Sequence, residues 1–217
     1  MFVGHVALAL AAKKKAPELS LGWTLAAVIF LDLLWPIFIL LGIEQVAIGS
    51  ATGGFDQLTF LSYPWSHSLW MSVGWGVALW QIARWRGISN RSATLLCFLV
   101  VSHWLLDFVS HAPDMPLSPW GGPKVGLGLW GSIPLTLIVE GGLLVAGLWI
   151  YLTTTRARDR IGSWAFWIFL VLMTALWAST PWSPPPPSIT VLIWSSIIFE
   201  WGMVWWAWWV DRHREVA

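Results

Sequence analysis

Six stretches of predominantly apolar residues, each long enough to cross a hydrocarbon core of roughly 30 Å, constrain this chain more than any other feature. They fall at 19–43, 66–85, 92–111, 126–152, 162–182 and 188–210. All are too long and too continuously apolar to be strands. Charged residues make up 11% of the chain, against roughly 25% in soluble domains, so no stretch is polar enough to build a water-facing shell. The 21 Trp residues agree with this, because amphipathic indoles favour the membrane–water interface. The predicted fold class is therefore all-α. Residues 1–217 form one polytopic transmembrane helical bundle of about six spans. Residues 2–12 are too short to cross and are expected to form a re-entrant or interfacial helix. Lys13, Lys14 and Lys15 follow this apolar run instead of preceding it, the reverse of a secretory signal, so it is read as mature protein.

The basic residues set the expected orientation. Lys13, Lys14 and Lys15 precede the first span, and Arg84, Arg86 and Arg91 lie between the second and third. Arg156, Arg158 and Arg160 lie between the fourth and fifth, and Arg212 and Arg214 follow the sixth, whereas the alternate connections hold only Lys124. Every cluster thus falls on one side, which the positive-inside rule makes cytoplasmic, with both termini there. The outer connections are then 44–65, 112–125 and a short "TPWSPPPPS" segment, whose four prolines at 184–187 read as a stiff connector.

The net charge of +1 is spread over short loop clusters and gives no basic groove for nucleic acid. Cys97 is the chain's one cysteine, which excludes an internal disulfide and a cysteine-based zinc motif.

Charges inside a span cost about 2.5–3.5 kcal/mol each on insertion scales, so they read as functional. Asp32, Asp107, Glu140 and Glu200 all fall inside predicted spans. The sharpest pattern is His103-x-x-x-Asp107-x-x-x-His111, which puts three ligand-type side chains on one helix face. The outer two are about 12 Å apart along the axis, so one ion reaches neighbours in the row but not all three. Asp32, His103 and Glu200 lie at similar depth near the midplane, Asp107 one turn further out, and His67 at the outer start of the second span. His5 reaches the same depth if residues 2–12 turn into the bundle. Imidazole and carboxylate together suit zinc first, with manganese or iron as alternatives. His67, His103, Asp107 and Asp32 are the expected metal ligands, with His5 and His111 completing the shell. Glu140, with Asp107, is the expected catalytic carboxylate, as general base or as a partner behind the ligands. Asp114 and His213 read as solvated loop and tail residues.

These residues resemble the YdjM-like membrane-bound metal-dependent hydrolases, small inner-membrane proteins of bacteria. Members share an early His, an Asp-rich D-x-D-H-P after the first apolar run, a T-H-S segment and S-H-x-x-x-D in a later helix. The counterparts here are His5, then Asp32 and Pro36 in "DLLWP", His67 in "SHSL", and His103 and Asp107 in "SHWLLD". The order agrees over about the first 130 residues, followed by "GLGLWGS" and Glu140. The chain departs from the pattern at Leu34 and Trp35, where the family has a second Asp and a His. It departs again at Ser62, Tyr63 and Pro64, where the family has H-R-G.

The resemblance implies a metal-dependent hydrolase in the bacterial inner membrane. With its site open outward, a lipid ester or phosphoester becomes the expected substrate and membrane lipids the expected partners. Two other functions use the same residues: an intramembrane proton or metal-ion pathway, and a non-catalytic assembly partner whose polar side chains bind helix to helix.

Overall fold

The apolar stretches fold as helices in the computed structural model, which describes residues 1–49 and 53–217. Part of the outer connection expected at 44–65, residues 50–52, lies outside the described residues. Among the described residues there are nine α-helices. They are α1 (Val3–Ala12), α2 (Leu21–Val28), α3 (Phe30–Leu40), α4 (Pro64–His67), α5 (Leu69–Trp85), α6 (Asn90–Ser110), α7 (Ile133–Thr154), α8 (Arg160–Ser179) and α9 (Ile189–Asp211). Three antiparallel ribbons sit in the connections: β1 (Gln45–Ile48) with β2 (Leu58–Ser62), β3 (Met115–Pro116) with β4 (Lys124–Val125), and β5 (Thr155–Ala157) with β6 (Arg214–Val216). The architecture is all-α.

Four helices are long and apolar enough to cross a bilayer: Asn90–Ser110, Ile133–Thr154, Arg160–Trp182 (α8 with its 3-10 end) and Ile189–Asp211. The first predicted span is broken instead of continuous. Ile29 leaves the helical region at φ −96° and ψ 18°, and α2 and α3 meet at 57°, the geometry of a broken span or of a re-entrant pair. The second predicted span is interrupted as well. Ser68 is extended and its Oγ accepts the Met71 N–H, which starts α5 afresh and leaves His67 at the end of a separate turn. α5 then has 17 residues, about 25 Å of helix. Where the sequence predicts six uninterrupted spans, the described residues give four, or five with the bent pair.

The N-terminal segment packs into the bundle. Eight of the ten residues of α1 are buried, and the helix packs against α7, α2 and α6. Close approach to α7 depends on Gly147, where a Cβ would collide with the backbone of Ala7. Small residues at such crossings let helix backbones come together.

The basic clusters gather at one end of the bundle. Lys13 Nζ meets Asp211 at 3.0 Å, Glu18 bonds Ser92 beside Arg91, and Arg156 pairs with Glu215 across the β5–β6 ribbon at 2.8 Å. Lys124 sits in the β3–β4 ribbon at the other end. Between the ends, Leu25, Val28, Leu96 and Val100 are almost wholly buried and form an apolar layer. Val100 and Leu96 lie one and two turns from His103 toward the basic end.

Candidate metal centre

Four elements converge above that layer. α6 carries His103 and Asp107 one turn apart, α3 presents Asp32 in its first turn, α4 ends on His67, and α1 brings His5. The two interruptions that the sequence reading missed are what make this possible. At the α2–α3 break the carbonyl of Val28, a helix-terminal acceptor without an intrahelical partner, accepts a hydrogen bond from His103 Nδ1 at 2.7 Å. At the α4–α5 break His67 turns inward to meet both His103 and Asp32.

The donors lie in two trios, His5–His103–Asp107 and Asp32–His67–His103, each with its ligand atoms within 4.8 Å of one another. His103 Nε2 is 2.9 Å from Asp107 Oδ2 and 3.6 Å from Asp32 Oδ1. His67 Nε2 is 3.3 Å from His103 Nε2 and 3.3 Å from Asp32 Oδ1, and 3.9 Å from Asp107 Oδ2. His5 Nε2 lies 3.1 Å from Asp107 Oδ1. That oxygen also meets the amino nitrogen of Met1, which lies 3.0 Å from Ser110 Oγ.

The outer partners fix which histidine nitrogens are free. A carbonyl only accepts, so His103 Nδ1 carries a proton, which leaves the lone pair of the neutral imidazole on Nε2. His67 Nδ1 stands 2.7 Å from Ser66 Oγ, and Ser66 Oγ donates to Glu44 Oε2 at 2.7 Å. The hydroxyl proton is therefore committed to Glu44, the imidazole donates from Nδ1, and His67 Nε2 is also a lone pair. Burial raises the Glu44 carboxyl above its usual range, while its bonds to Ser66 and Trp65 pull the other way. Its Oε1 accepts the N–H groups of Trp65 and Ser66, each at 2.8 Å.

Two Nε2 lone pairs 3.3 Å apart repel and cannot hydrogen-bond each other. Tetrahedral ligation with bonds of 2.0–2.1 Å places ligand atoms about 3.3–3.4 Å apart. The donor chemistry and this spacing therefore fit a divalent ion. Outer partners that set the tautomer are typical of histidine ligands.

Not every expected residue joins the cluster. His111 belongs to neither trio. Its Nδ1 pairs with Asp114 Oδ1 at 3.1 Å, which also accepts the Tyr63 hydroxyl at 2.8 Å. Asp114 is thus a structural partner where the sequence reading makes it a solvated loop residue. Burial and Asp114 raise the Tyr63 phenol above its ordinary value, so it remains a donor. His111 is held at the rim of the cavity, with its ring 4.7 Å from that of Trp130. Both Glu140 oxygens are engaged: Oε2 accepts the N–H groups of Phe2 and Gly4 at 2.9 and 3.3 Å, and Oε1 accepts Trp130 Nε1 at 3.1 Å. Glu140 thereby anchors the N-terminal end of α1, where a negative charge complements the helix dipole, and with it His5. Glu44 and Ser66 are the site residues that sequence reasoning missed.

A cavity of about 160 Å³ opens on the cluster, walled by His5, Asp32, His67, Asp107, His111 and Glu200, among others. Asp32 is the most exposed of the donors, at 34% of its side chain. Phe2 and Glu200 also wall a second cavity of about 590 Å³, which runs between the facing parts of α8 and α9 to Ser183 and Pro186 at the outer connection. Glu200 Oε2 and Trp35 Nε1, from residues on the wall of the smaller cavity, are buried without a hydrogen-bond partner among the described residues. No protein-family model, curated protein or solved structure matches this chain.

Proposed function

We propose that this chain is a membrane-embedded, metal-dependent hydrolase acting on a lipid ester or phosphoester from the outer leaflet, a divergent member of the YdjM-like hydrolases it resembles. The observation that carries the proposal is the pair of histidine Nε2 lone pairs, each locked by an outer partner, facing each other and two carboxylates. Six crossings, with α5 and the bent α2–α3 pair counted as spans, and the basic end in the cytoplasm complete the picture.

His67, His103, Asp32 and Asp107 would hold the divalent ion, zinc by donor chemistry, with His5 against Asp107 Oδ1. When bound, the ion supplies Lewis-acid polarisation of the scissile group and lowers the pKa of water. The chain's own residues do the rest. Glu44 through Ser66, and the Val28 carbonyl, hold the two imidazoles in the ligand tautomer. Asp32 Oδ2, which takes no hydrogen bond among the described residues, faces the cavity as proton acceptor for the attacking water. Glu140 keeps α1, and so His5, in position. The larger cavity admits an acyl chain along α8 and α9 while the polar head meets the metal cavity across Phe2 and Glu200.

The test uses phospholipid vesicles containing the purified protein, with release of water-soluble headgroup or fatty acid as the readout. Release abolished by a chelator, restored by zinc or manganese and absent in Asp107→Asn supports the proposal. Equal release by Asp107→Asn overturns it. A proton or metal-ion pathway is the second reading, favoured by the broken α2–α3 crossing, since discontinuous helices line ion sites in transporters. The buried apolar layer of Leu25, Leu96 and Val100 weighs against it. Ion flux into liposomes that stops in His103→Ala would decide for the pathway.

A further inference from the structure

The basic end of the bundle holds a cavity that the metal centre does not use. It encloses about 460 Å³, with Trp23 and Ala26 of α2 on one side, Trp201, Trp205 and Trp208 of α9 on the other, and Arg86 as its charged residue. The three α9 indoles recur at i, i+4 and i+7, so they form one stripe along the helix. The buried residues of α9 in the same stretch are Met203, Ala207 and Val210, on its opposite face, and the stripe itself is exposed. Gly22 lets α9 seat directly on α2, since a Cβ there would lie 2.5 Å from that of Trp208. The stripe spans about 10 Å along the axis, within the roughly 15 Å depth of one leaflet's hydrocarbon.

Charge marks one end of this groove. Arg86 is the C-cap of α5 and is exposed, and the Arg212 guanidinium lies 3.9 Å from the centre of the Trp208 ring. The nearby carboxylates are committed elsewhere, Asp211 to Lys13 at 3.0 Å and Glu215 to Arg156 at 2.8 Å. Among the described residues neither Arg86 nor Arg212 has an acidic partner. A groove with an apolar wall along its length and an unpaired guanidinium at the membrane-surface end is complementary to one kind of molecule. Its ligand has an acyl chain at one end and an anion at the other. Guanidinium pairs with phosphate through two parallel hydrogen bonds.

We infer that this groove binds one anionic phospholipid from the leaflet at the basic end, with its phosphate on Arg86 and an acyl chain along the Trp stripe. A second copy of the chain fits the charges poorly. Two copies side by side in one membrane, related by a two-fold axis along its normal, bring basic end against basic end. Arg86 and Arg212 then face like charges, whereas a phospholipid brings the missing anion. The site lies at the opposite end of the bundle from the His/Asp cluster and does not depend on a metal or on hydrolysis.

The experiment offers the purified full-length chain in mild detergent equal amounts of phosphatidylglycerol and phosphatidylcholine, and counts retained lipid by native mass spectrometry. One phosphatidylglycerol per chain should be retained, favoured by at least about five-fold, the scale of one basic residue acting on an anionic lipid. Arg86→Gln should abolish the preference. Ala26→Phe, which fills the groove without altering charge, should reduce retention of both lipids. A photoactivatable phosphatidylglycerol should crosslink to α2 and α9 of the unsubstituted chain, which locates the site even where a variant fails to fold. Equal retention of the two lipids, a preference that survives Arg86→Gln, or crosslinks confined to other helices overturns the inference. So does a stable dimer that Ala26→Phe dissociates, because the groove then belongs to a second copy.

Discussion

Both ends of the bundle bury charged side chains, and they do so in opposite ways. At the basic end Arg214 donates from Nε to Thr155 Oγ1 at 3.2 Å, from Nη1 to the Gly162 carbonyl at 2.8 Å and from Nη2 to the Thr155 carbonyl at 3.2 Å. Its guanidinium carbon lies 5.0 and 4.9 Å from the rings of Tyr151 and Phe166. Lys13 Nζ likewise donates to the carbonyls of Pro17 and Leu19 and to Asp211. Donors there meet acceptors. At the other end the Met1 amino group satisfies Asp107 Oδ1, but beyond it acceptors meet acceptors: two imidazole lone pairs, Asp32 and Asp107 Oδ2 converge on one another. A buried polar group with its valences satisfied stabilises a fold, whereas converging lone pairs leave a demand that a cation meets. By this criterion two regions of similar burial are given different roles.

The largest expected effect tests the unsatisfied end. His103→Ala and Asp107→Asn should each weaken metal binding by more than the roughly 10–100-fold that losing an outer partner costs. Metal content after dialysis against a graded chelator series is the measurement. Retention of metal in both variants would erase the distinction between the two ends. The satisfied end should respond in the complementary way. Arg214→Met keeps much of the side chain's length but leaves two carbonyls without their donor. It should lower unfolding stability by roughly 2–3 kcal/mol, the scale of a hydrogen bond to a charged group, with metal content unchanged. A change in metal content instead would show that the two regions are coupled.

Much of the unsatisfied end was legible in the sequence because helix periodicity fixes neighbours one turn apart. His103 and Asp107 needed only the i, i+4 rule, and the depth of Asp32 followed from counting along an apolar run. The same rule misplaced His111. It shares the α6 face with Asp107, but α6 stops at Ser110 and leaves it extended as the C-cap, where Asp114 captures it. The break at Ile29 carries no glycine or proline to announce it, and the break at Ser68 announces itself only through a capping serine inside an apolar stretch. Glu44 was the least visible. It lies 22 residues before Ser66, on the far side of a ribbon, and no sequence period connects the two. The pattern of the helices was readable, then, while the points where the helices stop were not. The site is built at those stopping points.

The outer partners allow a finer test. Ser66→Ala deletes the hydroxyl that links Glu44 to His67 and leaves every metal donor in place. His67 Nδ1 loses its acceptor, the proton is free to move to Nε2, and metal affinity should fall by about 10–100-fold. Isothermal titration with zinc is the check. A drop in folded yield with unaltered affinity would instead put Ser66 with the satisfied, structural class.

The smallest effect belongs to the basic end and depends on pH. Asp159 caps α8, accepting the Gly162 N–H at 2.9 Å, and pairs with His213 at 2.7 Å. The Gly162 N–H first, then His213, hold its carboxyl below its ordinary value of 3.8. A folded-state value below the unfolded one stabilises the protein above the unfolded value, and the contribution is lost as pH falls through the folded value. Asparagine caps a helix about as well as aspartate, so Asp159→Asn should remove only the charge-dependent part. The variant should melt slightly below the parent at pH 6, and the difference should shrink to nothing as pH drops below the carboxylate range. Melting both in metal-free buffer keeps protonation of the His/Asp cluster common to the pair, so the difference isolates the cap. A gap independent of pH would mean that Asp159 acts by shape and hydrogen bonding alone, as a fully saturated group would.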